Sequence, residues 1–418
     1  MSTRLVSMRK KNIYKRELYL KKIRPFYDDD MIKVITGIRR CGKSYILLSI
    51  IDELIEKGIN KKDVIYLDLE KKGNKNIKTP EQLETKIDSL ITDDDFKYIF
   101  VDEVQNVTNF EEVINGYNSE NNYSIFITGS NSYLLSGELS TKLTGRYIEF
   151  EIMTLSFYEY VDMKKILKKE LKDDATEFNE YIRCGGFPKS LSYDDYNDKI
   201  EYTKSIIEQI IKRDIKRRTK IKNKSMFERI MRYVINNYGK TTSLVNIRDY
   251  FKENENSSIN IQTISKYISL LENAKILYKV PRFDLKSRKS LKGEEKYYLA
   301  DLSIYYMNNV DARINYGPAL ENIVYTYLKS NRYEISIGKI KDYEVDFICR
   351  ENFDDYYYVQ VAMTILANIE TEDREYRPFE IVKDNYPKYL FTLDQLIQKR
   401  SGVLHKNLIS FLLENKKL

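Results

Sequence analysis

The sequence has one histidine, His405, no tryptophan, and only three cysteines in 418 residues. A lone histidine excludes histidine-based triads, histidine metal cages and most histidine general-base schemes. Cys41, Cys184 and Cys349 are scattered and form no CxxC pair. Neither a disulfide framework nor a zinc site is therefore expected, and a reducing cytoplasm is the natural setting. No window is apolar enough to cross a bilayer, and the first residues carry no apolar signal core, so no membrane partner is expected.

What is present is a charged chain, 42% hydrophobic and 32% charged, long enough for two or three cores. The net charge of +7 is modest, and its distribution says more. Nine basic residues stand against the single acid Glu17 between Met1 and Arg24. A second cluster comprises Lys212, Arg213, Lys216, Arg217, Arg218, Lys220, Lys222 and Lys224; a third comprises Arg282, Lys286, Arg288, Lys289 and Lys292. A phosphate backbone would seek such clusters. A general lysine-rich coding bias explains them equally well, and both readings stand.

The first third alternates short apolar runs with helical periodicity. Met31–Thr36, Asp63–Leu69, Phe96–Asp102 and Tyr123–Gly129 read as buried strands, with helices expected over Ser44–Lys57 and Pro80–Leu90. That pattern predicts an α/β domain with a parallel sheet covered on both faces. From Leu155 to Lys224 the pattern is helical. Three helices and a strand follow over Ser225–Pro281, then a hairpin whose basic turn is expected at Arg282–Glu295, the outline of a winged helix-turn-helix. The last part begins with a helix over Ala319–Lys329. Strands are expected at Glu334–Ile340, Glu344–Cys349 and Tyr356–Val361, and a final one at Tyr389–Thr392.

Gly37-Ile38-Arg39-Arg40-Cys41-Gly42-Lys43-Ser44 fits GxxxxGK[ST], placed between a strand and a helix. The glycines let backbone N–H groups cradle phosphate oxygens at a helix N-terminus. Lys43 would neutralise the β- and γ-phosphates of ATP, and Ser44 would offer a hydroxyl to Mg²⁺. Arg39, Arg40, Cys41 and Tyr45 complete the expected nucleotide-binding segment. Four apolar residues lead into Asp102 and Glu103, where Asp102 would hold Mg²⁺ and Glu103 would polarise the attacking water. Ser130 or Asn131, just past the next strand, would sense the γ-phosphate. Arg146 is either an arginine finger reaching a neighbouring subunit's phosphate or a surface arginine.

With these motifs in this order, and Leu155-Ser156-Phe157-Tyr158-Glu159-Tyr160 after them, the chain resembles a prokaryotic family of AAA-type P-loop ATPases with a C-terminal domain of uncharacterised function. Gly185-Gly186-Phe187-Pro188, Ile211–Ile215 and Val359-Gln360-Val361 resemble that family's later motifs, so the likeness covers nearly the whole chain. It implies an AAA core over 1–153, a helical lid over 154–224, a winged helix over 225–300 and a restriction-endonuclease-like domain over 301–418. It also implies a homo-oligomer, with a hexamer as one arrangement. Gly186 and Pro188 would lie against the adenine, or else form an ordinary helix-ending turn.

Glu321, then Glu344 and Asp346, then Gln360 and Ala362 follow the order of a PD-(D/E)xK nuclease core. Ala362 stands where the lysine belongs and Gln360 replaces a carboxylate, so a nuclease-like fold without nuclease chemistry is expected. Lys339 or Lys341 is the nearby lysine able to supply the missing amine. For the ATP, the first expectation is a DNA-associated motor or switch that uses the Lys212–Lys224 and Arg282–Lys292 clusters. The alternatives are a signalling or defence-type switch acting on a protein partner, and a nucleotide-binding scaffold with negligible turnover, against which Lys43, Asp102 and Glu103 argue.

Overall fold

The computed structural model describes residues 13–129, 145–215, 219, 221–255, 258–287, 289–307, 309, 313–351 and 355–418. The chain divides at Ile152/Met153 into two compact units.

In the first unit, β1 (Ile32–Thr36), β2 (Val64–Asp68), β3 (Lys97–Asp102), β4 (Tyr123–Thr128) and β5 (Tyr147–Glu151) form a parallel sheet in the order β2-β3-β4-β1-β5. β1 and β3 are buried along their whole length, as parallel strands covered on both faces must be. One face packs on helices Pro80–Asp88 and Phe110–Ser119 through Leu83, Ile87, Val113 and Ile114. The first of these helices starts where Thr79 and Gln82 cap each other reciprocally, with Pro80 in its opening turn. β5 carries no continuous apolar run and is mostly half-buried at the sheet edge, which is why the apolar pattern did not announce it.

The second unit opens with helices Phe157–Ile166, Asp174–Cys184 and Tyr196–Gln209, the last continuing as a π-helical stretch, Ile210–Ile215. Helices Lys224–Asn236, Leu244–Glu255 and Ile261–Asn273 follow, with β6 (Thr241–Thr242), β7 (Leu277–Asp284) and β8 (Lys289–Leu299) in antiparallel pairing. After helix Tyr316–Ser330 come β9 (Glu334–Ile340), β10 (Tyr343–Arg350), β11 (Tyr356–Val361), helix Ile369–Ile381, β12 (Lys388–Thr392) and β13 (Leu404–Asn407).

All eight strands make one sheet, ordered β13-β12-β11-β10-β9-β7-β8-β6. Its continuity depends on β7 pairing in parallel with β9, from Arg282↔Ile337 to Asp284↔Lys339. Two expectations are thereby corrected. Arg282 and Glu295 lie in strands β7 and β8, not in the hairpin turn, because β7 runs on through Pro281 to pair with β9. The strand at Tyr389–Thr392 is also not the last, since β13 adds a further parallel strand beside it. Among the described residues no helix is long and apolar enough to cross a membrane.

Lys33 lies fully buried in β1, donating to the Asp29 carbonyl and the Ser124 hydroxyl at 2.8 Å each, with its ammonium 4.6 Å from the Phe126 ring centre. Burial pulls the ammonium down to about 8, against the opposing attraction of Asp29. The folded pKa is therefore below the unfolded one, and between the two the unfolded chain binds the extra proton, so this group's contribution rises with pH. The three buried thiols are pushed up by burial and act in the opposite sense. The measurement is therefore the difference between wild type and Lys33→Met in chemical denaturation. Wild type should gain about 1.5 kcal/mol on Lys33→Met from pH 8 to 9.5.

Candidate functional site

The loop after β1 turns sharply. Gly37 has φ +140°, and a Cβ there would sit 2.2 Å from the Ile152 carbonyl oxygen, so only glycine fits. Gly42, left-handed at φ +110°, is the N-cap of helix Lys43–Glu56. Lys43 is buried and donates to the Gly37 and Ile38 carbonyls at 3.0 and 3.2 Å, which places its ammonium inside the loop. Cys41 is fully buried, Arg40 exposed, and Tyr45 about half exposed (49%) in the first helical turn.

Two arginines brace this loop. Arg39, buried, pairs with Glu70 at 3.2 Å. Arg16, just ahead of helix Glu17–Ile23, donates to the Cys41 carbonyl at 3.1 Å and lies 4.6 Å from the Tyr19 ring centre. No feature of the sequence pointed to Arg16.

The acids arrive from β3. Because β4 lies between β1 and β3, its last residue, Thr128, falls beside Asp102. The Thr128 hydroxyl donates to Asp102 Oδ1 at 2.5 Å and accepts the Glu103 N–H at 2.9 Å. Tyr66 donates to Asp102 Oδ2 at 3.2 Å. Burial pushes the Asp102 carboxyl up, with the Ser44 and Thr128 hydrogen bonds opposing. Burial likewise raises Glu103, against the attraction of Lys43 and Arg39. The structure thus brings Gly37, Lys43, Ser44, Asp102 and Glu103 into one constellation. The Ser44 hydroxyl and the Asp102 carboxylate, beside a loop that carries a lysine, are hard oxygen donors of the kind that fit Mg²⁺ on a nucleotide's phosphates.

Ser130 and Asn131 lie outside the described residues. Thr128, in the same segment, is the polar residue that touches both acids, and its position at the end of the strand next to β3 was the available signal. Arg146 is exposed immediately before β5, and its carbonyl accepts from Ile32, the first residue of β1. The P-loop follows the far end of β1, roughly 16 Å of strand away. Arg146 therefore cannot serve its own subunit's loop.

In the second unit, Gly186 packs so closely on Leu155 that a Cβ would lie 2.3 Å from that carbonyl oxygen. Its N–H donates at 2.7 Å to Asp301, which also takes the Ser303 hydroxyl. Pro188 opens the short helix Pro188–Ser192. His405 is buried, bonded to Thr392 at 2.8 Å and to the Gln398 N–H at 3.0 Å, a structural histidine.

A second cluster lines a cleft of about 370 Å³, with Glu321, Asp346, Gln360, Ala362, Arg374 and Glu375 on its walls. The amine of this cluster comes from neither Lys339 nor Lys341. It is Lys296 of β8, whose ammonium lies 3.0 Å from Glu321 and 2.7 Å from Glu344. Burial alone would lower Lys296, but Glu321, Asp346 and Glu344 outweigh it and hold it above the usual lysine value. Asp346 accepts the Val361 N–H at 2.8 Å, and Gln360 bridges the Asp346 N–H to Glu375. Lys296 escaped the sequence reading because β8 lies outside the expected end domain.

Of the second basic cluster, Lys212, Arg213, Lys222 and Lys224 are exposed, while Lys216, Arg217, Arg218 and Lys220 lie outside the described residues. In the third, Lys286 and Lys289 are exposed, and Arg288 and the side chain of Lys292 are not described. Arg282 is corrected: it is ion-paired to Glu294 at 2.6 Å and Glu344 at 2.9 Å within the sheet, and is not a free surface cation.

An uncharacterized protein of Haemophilus influenzae is 34% identical over 383 residues, covering 91% of this chain and 94% of its own. An uncharacterized protein of Methanocaldococcus jannaschii is 30% identical over 388 residues, covering 90% and 83%. The chain belongs to their family. Residues 29–161 match the AAA domain model, and residues 175–313 match a domain of unknown function. Among solved structures, a Walker-type ATPase of Pyrococcus abyssi aligns with a TM-score of 0.51 at 16% identity, over 71% of this chain and 96% of that one. The first unit is thus an AAA-type P-loop fold. The matched domain of unknown function includes Lys296 and Asp301.

Replacing Lys296 by methionine would leave Glu321, on its helix, without its counter-ion, and Glu344 with Arg282 alone. The expected loss is about 3 kcal/mol in urea denaturation, largely restored by Glu321→Gln in the same chain.

Proposed function

We propose that this protein binds and hydrolyses ATP, and that it acts as a homo-oligomeric, DNA-associated switch or motor. The observation that carries hydrolysis is the Thr128 bridge, which ties Asp102 and Glu103 together at the end of the strand beside the P-loop. The loop N–H groups and Lys43 would take the phosphates, and Ser44 and Asp102 would hold Mg²⁺. When bound, Mg²⁺ neutralises charge on the β- and γ-phosphates. Glu103 would accept the proton of the attacking water. Arg146 would complete a neighbouring subunit's site.

The DNA reading draws on the three-helix unit with its hairpin, whose element order is that of a winged helix. Helix Ile261–Asn273 exposes Gln262, Lys266 and Ser269, and the hairpin end exposes Lys286 and Lys289. Contacts of this kind to phosphate make binding steeply salt-dependent. We read the end domain, residues 301–418, as a nuclease-like fold without nuclease chemistry, since Ala362 stands where the lysine belongs and Glu321 and Glu344 are already ion-paired to Lys296 and Arg282. A protein partner in place of DNA is the second reading, favoured by a hairpin locked into the sheet through β9.

Glu103→Gln should keep its ATP affinity but turn over at least about a hundredfold more slowly; a rate equal to wild type would refute the base. Arg146→Ala should lose turnover and keep affinity, and mixing it with Lys43→Ala should restore part of the rate at shared interfaces. Without that rescue, action between subunits fails. Fluorescence polarisation on duplex, single-stranded and branched DNA at two salt concentrations tests the partner. Absence of binding at low salt would leave the protein-partner reading.

A further inference from the structure

Glu103 does not continue the strand. Its backbone is left-handed, φ +59° and ψ +47°, and it caps the short 3₁₀ turn Val104–Asn106. Such a conformation is costly for a residue with a long side chain and persists only where its surroundings hold it. Three contacts do so. The Glu103 N–H is taken by Thr128, its carbonyl accepts from Asn106 N–H at 3.1 Å, and Val104 beside it is fully buried. The turn brings the side chain two residues on back over residue 103. There the Gln105 amide Nε2 donates to Glu103 Oε2.

We propose that Gln105 is a positioning residue for the catalytic base. By holding Oε2 it fixes the carboxylate's rotation and leaves Oε1 as the atom that receives water's proton. This rests on the reading of Glu103 as the base. A glutamate side chain on a tight turn otherwise samples several rotamers, and only some of them aim an oxygen at the water. An amide suits the task because it donates a hydrogen bond without bringing a charge that would compete with Lys43 for the phosphates. Gln105 acts through Glu103.

The test is a double-mutant cycle of Gln105→Met with Glu103→Gln, read as steady-state ATP hydrolysis and as binding of a fluorescent ATP analogue. Methionine keeps the length of glutamine and removes the donor. Gln105→Met alone should lower kcat about tenfold, the worth of one hydrogen bond to a charged group, with nucleotide affinity within about twofold of wild type. Added to Glu103→Gln, it should cost nothing further, since the group it positions is already gone. Three results would overturn the proposal: Gln105→Met turning over like wild type, losing affinity in step with rate, or adding its full penalty on top of Glu103→Gln. Failure of the underlying reading looks different, because Glu103→Gln itself would then hydrolyse at the parent rate.

Discussion

One buried hydroxyl organises the nucleotide-facing edge of the first unit. Thr128 Oγ1 has a single proton, which goes to Asp102, and a lone pair, which goes to the Glu103 N–H. The two bonds together explain why the strand ends where it does: the next residue turns left-handed with its amide already satisfied. They also explain why β4 must lie between β1 and β3. Only from that position does a side chain at the strand's end stand beside the acids while Ser44 approaches the same carboxylate from the P-loop helix. Inside a low-dielectric edge an unmet polar group is expensive, so each member of this network holds the others in place.

The second unit answers the same electrostatic problem in another way. Glu321, Glu344 and Asp346 converge from a helix and a strand, a density of negative charge that burial makes unfavourable. A metal ion is one way to neutralise such a cluster. Here Lys296 and Arg282, both from the preceding hairpin, supply the positive charge from within the chain. The result is a mechanical consequence as much as a chemical one. The cations belong to strands β7 and β8, and the carboxylates to the elements after them, so the ion pairs and the β7–β9 pairing both cross the boundary expected near residue 300. The hairpin is thereby part of the sheet, paired to β9 from Arg282 to Asp284.

Much of the first unit was legible because its information is local. The strands Ile32–Thr36, Val64–Asp68, Lys97–Asp102 and Tyr123–Thr128 are continuous apolar runs, and the P-loop and the Asp102-Glu103 pair are contiguous motifs. What escaped is what depends on contact between distant segments. Arg16 reaches Cys41, and Lys296 reaches Glu321 and Glu344, across separations that carry no periodic signal. β5 and β13 escaped for a related reason: one is half-buried at an edge and the other is four residues long, so neither has an apolar run to show. Arg282 failed in the opposite direction. Its charge marked it as surface, and only the pairing of β7 with β9 explains its place among acids.

The position of Arg146 sharpens what the P-loop requires. A parallel sheet puts the P-loop at one end of β1 and the start of β5 at the other, and five residues of strand separate them. No side chain spans that length, so Arg146, just ahead of β5, does not reach the P-loop of its own chain. The first unit's own cations near the acids, Lys43 and Arg39, are engaged by loop carbonyls and Glu70. Phosphoryl transfer develops charge on the equatorial and leaving oxygens, and a further cation there stabilises it beyond what the P-loop lysine supplies. The reading of Arg146 as a neighbour's finger therefore makes turnover depend on assembly, which is what the mixing of Arg146→Ala with Lys43→Ala examines.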